Sequence, residues 1–190
     1  HIKKGPDGTQ QHQKTCVVDT RPSRNITRTI LPEAFIAHLP QKTYPISLVA
    51  SPDGGWIYTA DLQQQYVGYD GARAPDGIPK NAKHPAVYDW DEDGKPGASV
   101  VVDLPLFGHI RIYLVQTNHT VLKGRLQPSG RITGTTHQRI MAQRTIGADS
   151  RLLAGSPRLS IGTGHDAFEL ERIEAKATCA DIKRLAGDNF

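Results

Sequence analysis

The sequence predicts an all-β fold, an antiparallel meander closing into a barrel or a sandwich, with one short C-terminal helix. Three observations predict it. Short runs of alternating apolar and polar residues recur along the second half of the chain, and tight-turn signals separate them. Among 190 residues there are 18 glycines and 13 prolines but a single methionine, a composition rich in turns and poor in helix-core residues. No run is long enough for a membrane span.

In chain order, residues 1–14 are polar, nearly free of apolar side chains, and read as a flexible tail. Residues 15–190 read as a single β domain, long enough to bury its own core. Thr15-Cys16-Val17-Val18-Asp19 is expected as a short strand, and residues 26–31 as a second extended piece. Over residues 32–39, Pro32 suits a first helical position. Phe35, Ile36 and Leu39 give one apolar side, and Pro40 ends one or two helical turns. Residues 45–50 and 55–60 flank Ser51-Pro52-Asp53-Gly54 and predict a hairpin. Residues 63–69 are expected as a further strand, and residues 70–84 as a long loop punctuated by glycine and proline.

The second half alternates more regularly. Residues 98–104 form a strand whose unbroken Val100, Val101 and Val102 suit cover on both faces. Residues 109–115 and 121–126 are expected as two strands around a tight Thr117-Asn118 turn. Pro128-Ser129-Gly130 then turns the chain into residues 131–135. Residues 138–146 and 167–173 continue the series. Residues 179–185 are a short helix capped by Gly187. Eight to ten strands in one domain must close or stack to hide their edges.

Period-two geometry sorts the meander into two faces. Ile110, Ile112, Leu114, Leu122, Leu126 and Ile132 share the apolar face with Gly124 and Gly134. The glycines either leave room for a small apolar ligand or mark bends where the sheet curls. On the other face, Arg111, Lys123, Arg125 and Arg131, with Arg139 nearby, offer cations to an anionic partner or to solvent.

The stretch with specific chemistry is Asp89-Trp90-Asp91-Glu92-Asp93-Gly94-Lys95-Pro96-Gly97. Carboxylates at alternate positions, closed by a glycine that permits a sharp turn, form the front half of an oxygen-ligand loop for Ca2+. The Lys95 backbone carbonyl is the next ligand in that pattern. Val100 stands where a helix–loop–helix site has its bidentate glutamate, so a remote group such as Asp103, or water, is expected to complete the shell. The alternative is a solvated acidic turn.

Cys16 and Cys179 are the chain's two cysteines, and paired they would tie its two ends together. Disulfides and calcium loops both favour an oxidising, calcium-rich compartment, so the expected location is secreted, periplasmic or at the cell surface. Asn25-Ile26-Thr27 and Asn118-His119-Thr120 match the glycosylation sequon. A net charge of +4 is too modest, and aromatics too scattered, for a nucleic-acid platform. No nucleophile-elbow, phosphate-loop or zinc-protease motif occurs, and the histidines stand singly. His84, Asp89 and Ser99 can be drawn as a triad, although the aspartate is better used as a metal ligand, and Gly162-Thr163-Gly164-His165-Asp166 is either a polar site loop or an ordinary turn.

The Asp89–Gly97 pattern, residues 98–102, 109–115, 122–124 and 130–134, and the terminal Phe168-Glu169-Leu170 and Thr178-Cys179-Ala180 together resemble a group of exported bacterial β-rich proteins and lipoproteins. Those proteins carry an Asp-x-Asp-x-Asp-Gly-Lys-Pro-Gly loop ahead of a glycine-punctuated meander. The resemblance covers about the C-terminal half. It implies export and calcium, and no catalytic residue. The expected function is a binding or structural module at the cell envelope, whose partner is a protein, a glycan or a small apolar ligand. The alternatives are a calcium-dependent hydrolase of an envelope polymer or ester, with residues 70–84 over its site, and a subunit of a larger extracellular assembly.

Overall fold

The computed structural model describes residues 2–5, 8–18, 28–104, 108–150, 166–174 and 176–186. The strands are β1 (Ile2–Gly5), β2 (Gly8–Gln13), β3 (Arg28–Ile30), β4 (Lys42–Ala50), β5 (Trp56–Val67), β6 (Ala98–Leu104), β7 (Gly108–Leu126), β8 (Ile132–Ala148) and β9 (Ala167–Leu170). Helix α1 (Glu33–His38) precedes β4, and α2 (Cys179–Ala186) follows β9. All strand pairs are antiparallel within one sheet, which curls as a half-barrel. The all-β class and the short C-terminal helix are as expected.

β7 is the spine. One edge holds β6 along residues 108–114 and then β5 along residues 116–126, while the other edge holds β8 along residues 112–126. The expected turn at Thr117-Asn118 does not exist, because each polar group there finds a cross-strand partner. Thr117 donates its hydroxyl to the Gln65 carbonyl, His119 meets Asp61 at 2.7 Å, and Thr120 donates to Gln138. A polar run satisfied this way continues a strand as well as an apolar one does. The irregularity between His119 and Thr120 is only a register shift. Residues 132–135 and 138–146 likewise belong to the one strand β8, with Arg131 just before it.

The polar start of the chain is a second correction. Residues 2–5 and 8–13, part of the expected flexible tail 1–14, are the antiparallel strands β1 and β2, and β2 pairs with β4. Its side chains carry little burial, but the backbone ladder is complete and Gln11 is buried beneath the sheet, accepting from the Tyr58 hydroxyl. Residues 15–18 form no strand, and Asp19 lies outside the described residues. The same is true of the Asn25 sequon, Gly187 and residues 162–165. The 45–50/55–60 hairpin is found as β4–β5. The strand expected at 63–69 is the end of β5, which bulges between Asp61 and Gln64.

Three apolar clusters line the sheet. Phe35, Trp90, Val100, Val102, Ile112 and Leu114 pack where α1 crosses β6 and β7. Ile46, Tyr58, Leu122 and Ile132 pack at the other end, with Phe168 against them. Tyr69, Ala74, Ala86 and Val115 pack where residues 68–87 fold over the second face of β7. That loop is therefore an ordered cover, pinned by the Asp70 amide to Ala86 and by the Tyr69–Val87 bridge. Gly124 and Gly134 face one another across β7 and β8. A Cβ on Gly124 would lie 2.6 Å from the Thr133 carbonyl and 2.9 Å from the Phe168 ring, so the space is filled rather than open. A disulfide joins Cys16 to Cys179 across 163 residues, with 5.1 Å between the Cα atoms. In the chain-entropy account it contributes about 5 kcal/mol.

Candidate metal centre

The loop of residues 88–97 hangs between the cover and β6, and its backbone is closed at the neck. The Gly97 amide donates to the Tyr88 carbonyl at 2.8 Å and the Trp90 amide to the Gly97 carbonyl at 3.0 Å. Gly97 has φ +84, and a Cβ there would lie 2.6 Å from the Leu114 carbonyl, so only glycine lets the neck pass against β7. Trp90 anchors the loop in the core, with its ring 5.1 Å from Phe35 and 6.1 Å from His38.

Between these fixed points Asp89, Asp91 and Asp93 converge, each offering a carboxylate oxygen within 4.8 Å of the other two. The turn is wound by its own acids. Asp89 accepts from the Asp93 and Gly94 amides at 3.0 and 2.8 Å, and Asp93 accepts from the Lys95 amide at 3.0 Å. Glu92 sits at φ +58 and points away, 3.7 Å from His38, which keeps its charge off the cluster.

Asp91 is the anomaly. It is 2 % exposed; its Oδ2 accepts from the Ser99 amide at 2.9 Å, and its Oδ1 has no hydrogen-bond partner. Burial, followed by the charges of Asp93 and Asp89, pushes its carboxyl above the ordinary range. A buried carboxylate oxygen with no donor costs on the order of 1–3 kcal/mol. The set is all oxygen, as a hard cation requires, and it can hold a metal ion. Arg111 lies 3.5 Å from Asp93 Oδ2 and offsets part of the negative charge from the side.

The other expected site residues fall elsewhere. Asp103 lies four residues beyond Ser99 on β6, about 13 Å along the strand, and pairs with His109 at 3.5 Å. Lys95 holds its ammonium over the Tyr113 ring at 5.8 Å. Four cations of the expected anion-binding face are already paired: Arg111 as above, Arg125 with Asp53 at 2.7 Å, Arg131 with Glu169 and Glu171, and Arg139 with Asp61 at 3.6 Å. Lys123 alone has no ion pair among the described residues. The drawn triad does not assemble, because the Ser99 hydroxyl is buried without a partner and His84 accepts from the Ala86 amide.

Sequence reasoning found the three carboxylates but missed what holds them. Trp90, Phe35 and His38 form an aromatic stack that only the fold brings together, and Gly97 gives no sign in the sequence of its close approach to β7. No protein-family model, characterised protein or solved structure matches the chain. The likeness to exported bacterial β-rich proteins therefore rests on the three-aspartate cluster alone.

Proposed function

We propose that the chain is a calcium-stabilised β half-barrel that works outside the cytosol as a binding or structural module of a cell envelope or surface. The carrying observation is Asp91, buried in an all-oxygen cluster with one carboxylate oxygen lacking a donor. A calcium ion supplies the missing partner and offsets the mutual repulsion of three acids. Calcium is preferred to magnesium because three carboxylates with no fixed octahedral arrangement suit its larger, irregular shell. The Cys16–Cys179 disulfide supports an oxidising compartment. Among the described residues no helix is long and apolar enough to cross a membrane.

A binding or structural role is favoured over hydrolysis because the described hydroxyl–histidine contacts, Thr43 with His12 and Thr135 with His137, are exposed pairs on strands, and His84, Asp89 and Ser99 do not assemble. The assembly-subunit reading draws on Val49 and Ile57, which face one another across the end of the β4–β5 hairpin and are 56 % and 41 % exposed. The metal reading is tested by melting the non-reduced protein in calcium and in chelator. A ligand that binds only the folded state raises the midpoint by mass action. Equal midpoints over a millimolar range would remove the cation from the account.

A further inference from the structure

Beside the metal loop, on the side of Tyr88 and Trp90, lies a cleft of about 510 Å3 that the carboxylates do not enter. Three of the chain's six tyrosines, Tyr66, Tyr69 and Tyr88, line it together with one of its two tryptophans. Tyr66 and Tyr88 are 37 % and 48 % exposed, so each is partly open to solvent, whereas Tyr69 and Trp90 are buried. The platform is held in place. Tyr69 meets Tyr66 edge-on, with centroids 5.3 Å apart. The Tyr66 ring also lies directly over Gly71, where any Cβ would collide with it. Beneath, the Tyr69–Val87 bridge and the bond from the Asp70 amide to Ala86 knit the two walls together.

The polar lining is Lys42, Arg73, Asp70 and His38. Among the described residues no ion pair engages Lys42 or Arg73, although most arginines on the sheet are paired. His38 is turned to Glu92, and one Asp70 oxygen is occupied by the Ala72 amide. The lining contains no leucine, isoleucine, valine or methionine, and its aliphatic content is Pro40. A peptide groove needs apolar pockets for side chains. Exposed aromatic faces bordered by charged groups suit a sugar, whose C–H patches lie on rings while its hydroxyls and acids reach the rim. A planar guanidinium and an ammonium left without partners select a carboxylate.

We propose that this cleft binds an acidic carbohydrate, a uronic-acid-containing glycan whose rings lie on Tyr66 and Tyr88 and whose carboxylates meet Arg73 and Lys42. The site agrees with the binding-module reading and gives it a ligand class; Tyr88 and Trp90 belong to the cation loop, but none of its three aspartates lines the cleft, so the test below separates the two readings.

The test is a calorimetric titration of the full, non-reduced chain with hexagalacturonate in chelator, repeated in calcium. A neutral hexaglucan and hexaglutamate serve as comparison ligands. Binding of hexagalacturonate is expected in both buffers, at least tenfold tighter than either comparison ligand. Tyr88→Ala and Arg73→Gln, both at exposed side chains, are each expected to weaken it about tenfold while leaving the melting temperature in place. Gly71→Ala, which displaces Tyr66, is expected to weaken it as well. No heat at millimolar hexagalacturonate would overturn the proposal. So would equal affinity for the neutral glycan, which removes the acid, or for hexaglutamate, which removes the ring. Binding seen only in calcium would place the glycan on the cation rather than in the cleft and would also overturn it. Binding in chelator together with an unchanged melting point in calcium would overturn the cation reading alone.

Discussion

Two turns in this molecule place an aspartate near a glycine and differ in how that carboxylate is supplied with donors. At the tip of the β4–β5 hairpin, Asp53 precedes Gly54 and Gly55. It is exposed and takes two hydrogen bonds from Arg125, at 2.7 and 2.8 Å, and one from the Ser51 hydroxyl. Those bonds, Arg125 first, pull its carboxyl down to about 2. In the loop of residues 88–97, Asp91 is buried, takes one hydrogen bond, and is pushed the opposite way. An aspartate with a full set of donors completes a turn by itself. One that is buried with an orphaned oxygen is short of a donor, and Asp91 stands in a cluster able to hold a metal ion.

The largest effects sharpen that contrast through the glycines that close each turn. Gly97→Ala combines left-handed strain with a Cβ 2.6 Å from the Leu114 carbonyl, and should cost about 3 kcal/mol in calcium and in chelator alike. Next comes Asp91→Asn. In calcium it should forfeit the ion's contribution, about 2.7 kcal/mol at a hundredfold excess over Kd, or roughly 5–10 °C in the midpoint. In chelator it should melt at or above the parent, because the neutral amide still accepts from Ser99 and no longer repels Asp89 and Asp93. A lower midpoint in chelator would break the contrast, showing the charge to be already satisfied.

Gly54→Ala is the hairpin counterpart of the first variant. Gly54 has φ +79 but nothing within 4 Å of a new Cβ, so the cost is backbone strain alone, about 1 kcal/mol. The smallest effect is a pH profile. The folded Asp53 carboxyl lies below its unfolded value, so its contribution is present above about pH 4 and is lost as pH falls toward 2. Asp53→Asn should flatten the melting curve over that window and leave the neutral-pH calcium shift unchanged.

Much of this architecture was legible because it follows from local chemistry. Ser51-Pro52-Asp53-Gly54 can do little but turn, the unbroken valines at residues 100–102 placed β6, and alternation in residues 109–115 placed the start of β7. The Cys16–Cys179 pair was legible by elimination, there being no other cysteine. What escaped depends on partners far away in sequence. Gln116 to Thr120 looks like a loop until Gln65, Asp61 and Gln138 are seen to satisfy it. The first strands are polar because their stability comes from the ladder to β4 and from one buried glutamine under Tyr58. The convergence of Asp89, Asp91 and Asp93 was readable from spacing. The burial that singles out Asp91 was not, since it depends on Trp90 packing against α1. The cleft gave only a weak signal, a crowding of tyrosines between residues 66 and 88 in a chain otherwise poor in aromatics.

The most direct measurement is a calcium titration by calorimetry of the parent chain, Asp91→Asn and Asp53→Asn side by side. The account predicts a single site of unit stoichiometry in the parent, unchanged in Asp53→Asn and abolished in Asp91→Asn. Absence of heat in the parent, or a site that survives Asp91→Asn intact, would contradict it.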